Sequence, residues 1–180
     1  MGVHGVPSKN QILDLTTIDL TCVTANQDEI RRYNPQRFEM EQLNGVIYED
    51  PSRNICVGYK DVTDHEFWVR GHMPGMPLMP GVVMLEACAQ LCAYFAHKYR
   101  LLGDDLVIGF GGLEEVRFRD PVVPGSRMYL LSQLTKVRPG KLLVSKFEGV
   151  VGDSMVVEGL LKGIPIPTAM LRPPTSTNAP

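Results

Sequence analysis

The chain has 180 residues, 44% of them hydrophobic and 21% charged, which is long enough for one substantial core but short for two. Its formal net charge of -2 and pI near 6.1 provide no electrostatic attraction to nucleic acid or anionic lipid, so small-molecule chemistry is favoured over polyanion binding. The four cysteines form no CxxC pair or Cys/His cluster and no apolar run could span a bilayer, so we expect a cytoplasmic protein without a disulfide framework, metal site or membrane insertion.

Residues 1–25 are interpreted as an N-terminal extension. They mix Gly, Pro, Ser and Thr with one apolar stretch, 18–23, which is typical either of an added edge strand or of an ordered arm. Asn26 followed by Glu29 has the pattern of an N-cap with its capping-box partner. This pattern predicts a short helix through Tyr33 that stops before Pro35.

The next segments predict a hairpin, a rigid loop and one long helix. Strand-like residues at 46–48 and 54–59 are separated by turn residues. The Gly- and Pro-dense loop 70–81 contains one histidine, and Val82 to Arg100 then carries no Gly or Pro. This stretch is apolar on nearly every side through Ala96, which predicts a buried helix.

After Gly103 the sequence predicts five short strands with turn residues between most of them: 106–110, 115–118, 128–137, 142–151 and 155–164. Several antiparallel strands and one buried helix predict an α+β domain over 26–167, in which a curved sheet wraps the helix. The tail 168–180 is expected to be disordered.

Glu86 is a carboxylate within an apolar helix and therefore has to be paired, protonated or open to a cavity. At 100° per residue, Gln90 lies roughly 40° and His97 roughly 20° from Glu86 around the helix, so the three polar groups form one stripe. The stripe could line a polar cleft, or Glu86 and Gln90 could satisfy each other inside a core.

His72 favours the first of these readings, because its Pro-rich loop leads directly into the helix. The imidazole can accept a proton near neutral pH and the buried carboxyl can donate one. Gly81 and Val82 present free backbone N–H groups where the helix dipole is positive, so they could polarise a carbonyl. A base, an acid and an oxyanion donor together predict an α,β-elimination site.

The segments Gly71 to Val82 and Leu85 to Gln90 resemble the motifs of the 3-hydroxyacyl-[acyl-carrier-protein] dehydratases of type II fatty acid synthesis. The resemblance extends through 115–125 and covers roughly residues 34–165. Glu86 favours a plain dehydratase, since the related dehydratase/isomerases have aspartate there. One departure is Gln36, where the family usually has histidine, and it leaves the acyl tunnel or dimer edge open to question.

The resemblance implies a hot-dog fold and a homodimer in which His72 of one subunit faces Glu86 of the other, often within a trimer of dimers. It implies Gly81 as the amide donor, Gln90 as the supporting glutamine, and a substrate held on the phosphopantetheine of acyl carrier protein. No metal or redox cofactor is expected. An acidic carrier further predicts a docking surface that includes some of five basic residues, although an ordinary solvated face is the alternative: Arg70, Lys98, Arg100, Arg117 and Arg119.

Two other functions remain open at this point. A hot-dog thioesterase would use a carboxylate and the helix dipole to activate water against the same carbonyl. A non-catalytic acyl-binding or carrier-binding subunit would keep the fold without turnover.

Overall fold

The computed structural model describes residues 12–171, which form two α-helices and six strands. The helices are α1, Gln27–Ile30, and α2, Gly81–Lys98. The strands are β1, Gly45–Asp50; β2, Ile55–Asp61; β3, Leu106–Phe118; β4, Arg127–Arg138; β5, Leu142–Val151; and β6, Ser154–Pro167. The predicted hairpin and long helix are therefore present.

The six strands make one antiparallel sheet in the order β1-β2-β4-β5-β6-β3. Helix α2 lies against the inner face of this sheet, mainly over β2, β4 and β5. Eleven of its 18 residues are buried, because it is apolar on almost every side. Gly58 on β2 allows close approach, since a Cβ atom there would lie 3.0 Å from Leu91 Cδ1 on the helix.

Strand β3 lies at the sheet edge and is the most exposed strand that the structure describes. It pairs only with β6, and Phe110, Leu113 and Phe118 are exposed. The sequence predicted two strands here, but the structure has a single strand of 13 residues with two register shifts. The shifts fall at Gly112, with φ 158°, and near Glu115, with φ 52°, so bulges and not a turn interrupt the alternation.

Residues 12–25 form an ordered arm and not an added strand, since Ala25 makes only an isolated bridge to Val46. The arm covers the outer face of the sheet, where its Leu13 packs in a second apolar cluster with Ile55, Val57 and Leu131. The N-cap at Asn26 is confirmed by a hydrogen bond of 3.0 Å from the Glu29 N–H, but α1 ends at Ile30, earlier than predicted.

The other end of the domain departs from the predicted tail. Thr168–Leu171 form a 3-10 turn, and the Thr168 N–H donates to the Asp105 carbonyl at 3.0 Å. These four residues belong to the tail predicted to be disordered, and the rest of that tail lies outside the described residues. No helix within residues 12–171 is long and apolar enough to cross a membrane.

Candidate active site

His72 is held at both its backbone and its ring. Its N–H donates to the Trp68 carbonyl at 2.8 Å, and its carbonyl accepts from the Leu78 N–H at 2.8 Å. The ring Nδ1 lies 2.7 Å from the Leu78 carbonyl oxygen. Because a carbonyl can only accept, Nδ1 carries a proton, and Nε2 of the neutral ring keeps its lone pair for an incoming proton.

The loop that carries His72 is anchored below by a buried ion pair. Lys60 Nζ on β2 lies 2.6 Å from Glu66 Oε1, and the two side chains are only 5% and 9% exposed. Trp68, two residues further along, is buried in the main core. The histidine therefore sits on a segment that both charge and packing fix to the sheet.

The first turn of α2 faces the same groove as His72. The N–H groups of Val83 and Met84 donate to the Pro80 carbonyl at 2.9 and 3.2 Å. Those of Gly81 and Val82 have no hydrogen-bond partner within residues 12–171, as expected for the first donors of a helix. His72, Gly81 and Val82 line one mainly apolar groove of about 590 Å³, together with Phe118.

Glu86 lies one turn further along α2 and is held by neutral amides. Gln90 Nε2 donates to Glu86 Oε1 at 2.7 Å, and Gln36 Nε2 lies at 3.4 Å from the same oxygen. Glu86 Oε2 has no hydrogen-bond partner among the described residues, and no cation pairs with the carboxylate there. One oxygen of Glu86 is thus tied down while the other is free.

Gln90 fixes this arrangement because its own amide is satisfied on both sides. Its Oε1 accepts from the Gln42 N–H at 2.8 Å, and its Nε2 donates to the Met40 carbonyl at 2.6 Å as well as to Glu86. These partners determine which end of the amide is oxygen and which is nitrogen. The predicted pair of Glu86 and Gln90 is therefore together, whereas His97 lies farther along the helix without contact to either.

Glu86 opens onto a separate small cavity of about 40 Å³, whose wall includes Gln36, Cys92 and Phe110. His72 does not line it, so a single chain leaves the predicted base, His72, and the predicted acid, Glu86, in different cavities. Burial raises the pKa of the Cys92 thiol to about 12, which suits a cysteine that packs as a small apolar side chain.

Gln36 is the site residue that the sequence analysis did not assign. It contacts Glu86 across 50 positions, so no helical or strand periodicity connects the two. The only feature of the sequence that pointed to Gln36 was its difference from the histidine usual at this position in the family that the chain resembles. Residues 12–171 contain no group of three or more His, Cys, Asp or Glu side chains that could hold a metal ion.

A curved antiparallel sheet around one long helix, with a histidine loop before the helix and a glutamate on it, defines a hot-dog protein with a candidate acid–base site. Residues 34–159 match the family model of the FabA-like domain. The chain belongs to this family, and to its 3-hydroxyacyl-[acyl-carrier-protein] dehydratases.

Two curated relatives support this assignment. The 3-hydroxyacyl-[acyl-carrier-protein] dehydratase FabZ of Desulfotalea psychrophila is 37% identical over 129 residues, or 71% of this chain and 84% of the relative. The enzyme of the same name from Clostridium kluyveri is 32% identical over 133 residues, or 74% and 90%.

Solved structures support the fold alone. The dehydratase heterocomplex ApeI:P from Xenorhabdus doucetiae superposes with a TM-score of 0.66 at 19% identity, over 79% of this chain and 93% of that one. Cj0977, a sigma28-regulated virulence protein from Campylobacter jejuni, superposes with a TM-score of 0.58 at 16% identity, over 79% and 94%.

Proposed function

We propose that this protein dehydrates 3-hydroxyacyl thioesters of acyl carrier protein to trans-2-enoyl thioesters, in fatty acid or related lipid biosynthesis. The proposal is carried by two candidate groups for acid–base chemistry in one chain. Among the described residues, Glu86 is hydrogen-bonded only by neutral amides. His72 keeps one ring nitrogen free and lines a groove together with the residues whose unpaired N–H groups begin α2. The FabA-like family match and the FabZ relatives support the substrate class.

His72 acts as the base in this mechanism. Its Nε2 removes the C2 proton, because the Leu78 carbonyl keeps the other ring nitrogen protonated. Charge that develops on the thioester oxygen is stabilised by the N–H groups of Gly81 and Val82, at the positive end of the α2 dipole.

Glu86 acts as the acid on the departing 3-hydroxyl. The C2–H electrons form the C2=C3 bond, the C3–O bond breaks, and the hydroxyl leaves as water with a proton from Glu86. Because Gln90 donates to Oε1, the proton is carried on Oε2. Two protons move and no external oxidant or reductant is consumed, so the chemistry calls for no redox cofactor, and phosphopantetheine of the carrier serves to present the substrate.

The separate cavities are explained if two copies of the chain complete each other's sites. The free edge of β3 is available for antiparallel pairing with a second copy. Phe110 lines the Glu86 cavity, and Phe118 lines the His72 groove, roughly 26 Å away along the strand. Pairing about a two-fold axis near residue 114 would bring Phe110 of one copy opposite Phe118 of the other, and with them the acid and the base.

The carrier is expected to dock where the substrate enters the His72 groove. Of the five predicted basic residues, Lys98, Arg100 and Arg119 already have acidic partners, namely Glu49, Asp104 and Glu158. Arg70 and Arg117 are exposed and have no ion-pair partner within residues 12–171, so the docking proposal narrows to these two. Charge reversal there is expected to slow carrier-linked substrates and to spare small soluble thioesters.

The direct test is turnover by purified protein. It is expected to interconvert 3-hydroxyacyl and 2-enoyl thioesters on acyl carriers of several chain lengths, and His72→Ala is expected to abolish this activity. Release of free thiol instead of enoyl product would support a thioesterase. Tight carrier binding with no rate loss in His72→Ala would support a non-catalytic subunit.

Subunit complementation tests the composite site. His72→Ala and Glu86→Gln are each expected to lose on the order of a hundredfold or more in rate. Refolded together, about half of the dimers are mixed, and each mixed dimer has one intact and one doubly altered site. Activity then returns to about a quarter of wild type by this count. No recovery despite verified mixed dimers would mean that the two residues act within one subunit.

A further inference from the structure

Gln36 carries a buried oxygen without a partner beside the proposed acid. Its Oε1 makes no hydrogen bond within the described residues, while its Nε2 lies 3.4 Å from Glu86 Oε1. Leaving a buried acceptor unsatisfied destabilises a folded protein, so such atoms usually meet a donor. Because Gln36 lines the small cavity onto which Glu86 opens, the missing donor is expected to arrive with a ligand.

The orientation of the Gln36 amide follows from the network around it. Gln90 is fixed by residues 40 and 42 and must donate to Glu86 Oε1, which therefore accepts in both protonation states. If the Gln36 amide were reversed, its oxygen would face this acceptor at 3.4 Å without a proton between them. The nitrogen of Gln36 consequently faces Glu86, and its oxygen is left for another donor.

The proposed reaction supplies one such donor, the 3-hydroxyl group of the substrate. We propose that Gln36 Oε1 accepts the hydrogen bond of this hydroxyl, an inference that rests on the dehydratase function proposed above. A hydroxyl has one hydrogen and two lone pairs. Glu86 Oε2 can protonate the oxygen only through a lone pair, so the hydroxyl hydrogen has to point to a different acceptor.

This contact has consequences for both chemistry and selectivity. When the C3–O bond breaks, the oxygen leaves as water that keeps its hydrogen bond to Gln36 and has received its second proton from Glu86. A site that provides a buried acceptor for a hydroxyl also disfavours ligands without one, because the acceptor then stays unpaired. Gln36 is thus assigned as a substrate-binding residue that recognises the 3-hydroxyl group.

The experiment compares the affinities of S-(3-hydroxybutyryl)pantetheine and S-butyrylpantetheine, measured by calorimetry in a His72→Ala background that prevents turnover. The hydroxylated ligand is expected to bind about tenfold more tightly, the scale of one buried hydrogen bond. Gln36→Met, which keeps the side-chain length and removes the acceptor, is expected to bring this ratio close to one. Gln133→Met, a half-buried glutamine on β4, is the matched control and is expected to preserve the ratio.

Gln36→Glu distinguishes the acceptor role of Gln36 Oε1 from the donor role of its Nε2. It also provides a second variant if the methionine variant folds poorly. It keeps an acceptor at this position and loses the donor to Glu86, so the tenfold preference is expected to persist. An equal loss of preference in Gln36→Glu and Gln36→Met would assign Gln36 to holding Glu86 instead, and an unchanged ratio in Gln36→Met would overturn the proposal. Turnover by wild type without any hydroxyl preference would reject this inference alone, whereas a preference without turnover would reject the proposed function.

Discussion

The carboxylates of Glu86 and Glu49 lie along the same row of side chains on α2, but their hydrogen-bonding partners differ in charge. Residues 86, 90, 94 and 98 follow one another at intervals of four, so they form one ridge of the helix. In the first half of the ridge, Glu86 is hydrogen-bonded within residues 12–171 only by the neutral amides of Gln90 and Gln36, and one carboxylate oxygen stays free. In the second half of the ridge, Glu49 from β1 contacts a cation and several hydroxyl groups.

Both oxygens of Glu49 are occupied. Lys98 Nζ donates to Oε1 at 2.8 Å and the Tyr99 hydroxyl donates to Oε2 at 3.1 Å, with Tyr94 close by at 3.3 Å. Burial and the charge of Glu49 raise the pKa of Tyr94. Burial alone would lower the pKa of Lys98, but its contact with Glu49 raises it on balance. Glu49, which pairs with an ammonium group and is bonded at both oxygens, suits a role in stabilising the fold, whereas Glu86, with neutral donors and one free oxygen, suits the proposed role of acid.

The largest expected effect separates the two carboxylates by activity. Glu86→Gln is expected to lower kcat/KM by on the order of a hundredfold or more, because an amide cannot donate the acid proton. Its thermal midpoint is expected to stay close to wild type, since Gln90 can still donate to the new amide oxygen. Enzyme assays and thermal unfolding of Glu49→Gln provide the matched control, in which the folded fraction is expected to keep its activity. Similar activity losses in both variants would remove the distinction.

The next largest effect distinguishes Glu49 from Glu86 by the free energy of unfolding. Glu49→Gln is expected to lower the free energy of unfolding by about 2 kcal/mol, below the range for a fully buried pair because Lys98 is 25% exposed. A denaturant-unfolding cycle with Lys98→Met measures the coupling between the two groups. The exposed pair Arg100–Asp104, at 3.5 Å, is the matched comparison and is expected to couple by less than about 0.5 kcal/mol. Equal coupling in the two pairs would mean that Glu49 contributes no more than a surface contact.

A smaller effect belongs to the amide that holds Glu86. Gln90→Leu removes the donor to Glu86 Oε1 and leaves the Gln42 N–H without its acceptor. We expect about a tenfold loss in kcat/KM, since the acid remains present but is less well positioned, together with a loss of about 1 kcal/mol in stability. Steady-state assays and urea unfolding check the two parts. A stability loss with unchanged kcat/KM would confine Gln90 to the fold.

The sequence predicted much of the fold because its main signals are local. Continuous apolar character predicted the buried helix α2, and turn residues between alternating strands predicted most of the sheet. Contacts made across long sequence separations were not accessible in this way. The packing of Leu13 on the outer sheet face and the contact of Gln36 with Glu86 depend on where the chain returns, which no periodicity encodes.

Helical periodicity alone did not predict which members of the polar stripe on α2 make contacts. At 100° per residue, His97 was predicted to lie on the same side of the helix as Glu86. A chain segment running parallel to the helix axis would contact both residues. The residues that cover the helix, Met40, Gln42 and Glu49, instead lie along the inclined ridge formed by every fourth helix residue. Their polar contacts therefore reach residues 90 and 98. His97 is left outside both networks, with its two ring nitrogens buried and without hydrogen-bond partners in the described part of the chain.

The smallest expected effect concerns His97, which has neither a cation nor an amide to hold it. Burial lowers its pKa from the ordinary value of 6.5, although nearby backbone groups of Leu106 and Tyr33 act in the opposite direction. Well above pH 6.5 the ring is neutral in both folded and unfolded chains and contributes little pH dependence. As the pH falls through 6.5, the unfolded chain takes up a proton before the folded one, so the free energy of unfolding decreases. For this one residue the slope cannot exceed about 1.4 kcal/mol per pH unit.

Unfolding in urea between pH 7.5 and 5 checks this expectation for wild type and two variants. His97→Phe keeps an aromatic ring in the same place without a titrating group, so its stability is expected to fall less steeply over this range. His65→Gln is the control, since the side chain of His65 is 91% exposed. The difference between wild type and His97→Phe isolates the histidine from carboxylates that titrate at lower pH. Parallel stability curves for all three proteins would mean that His97 takes up its proton as easily in the folded chain as in the unfolded one.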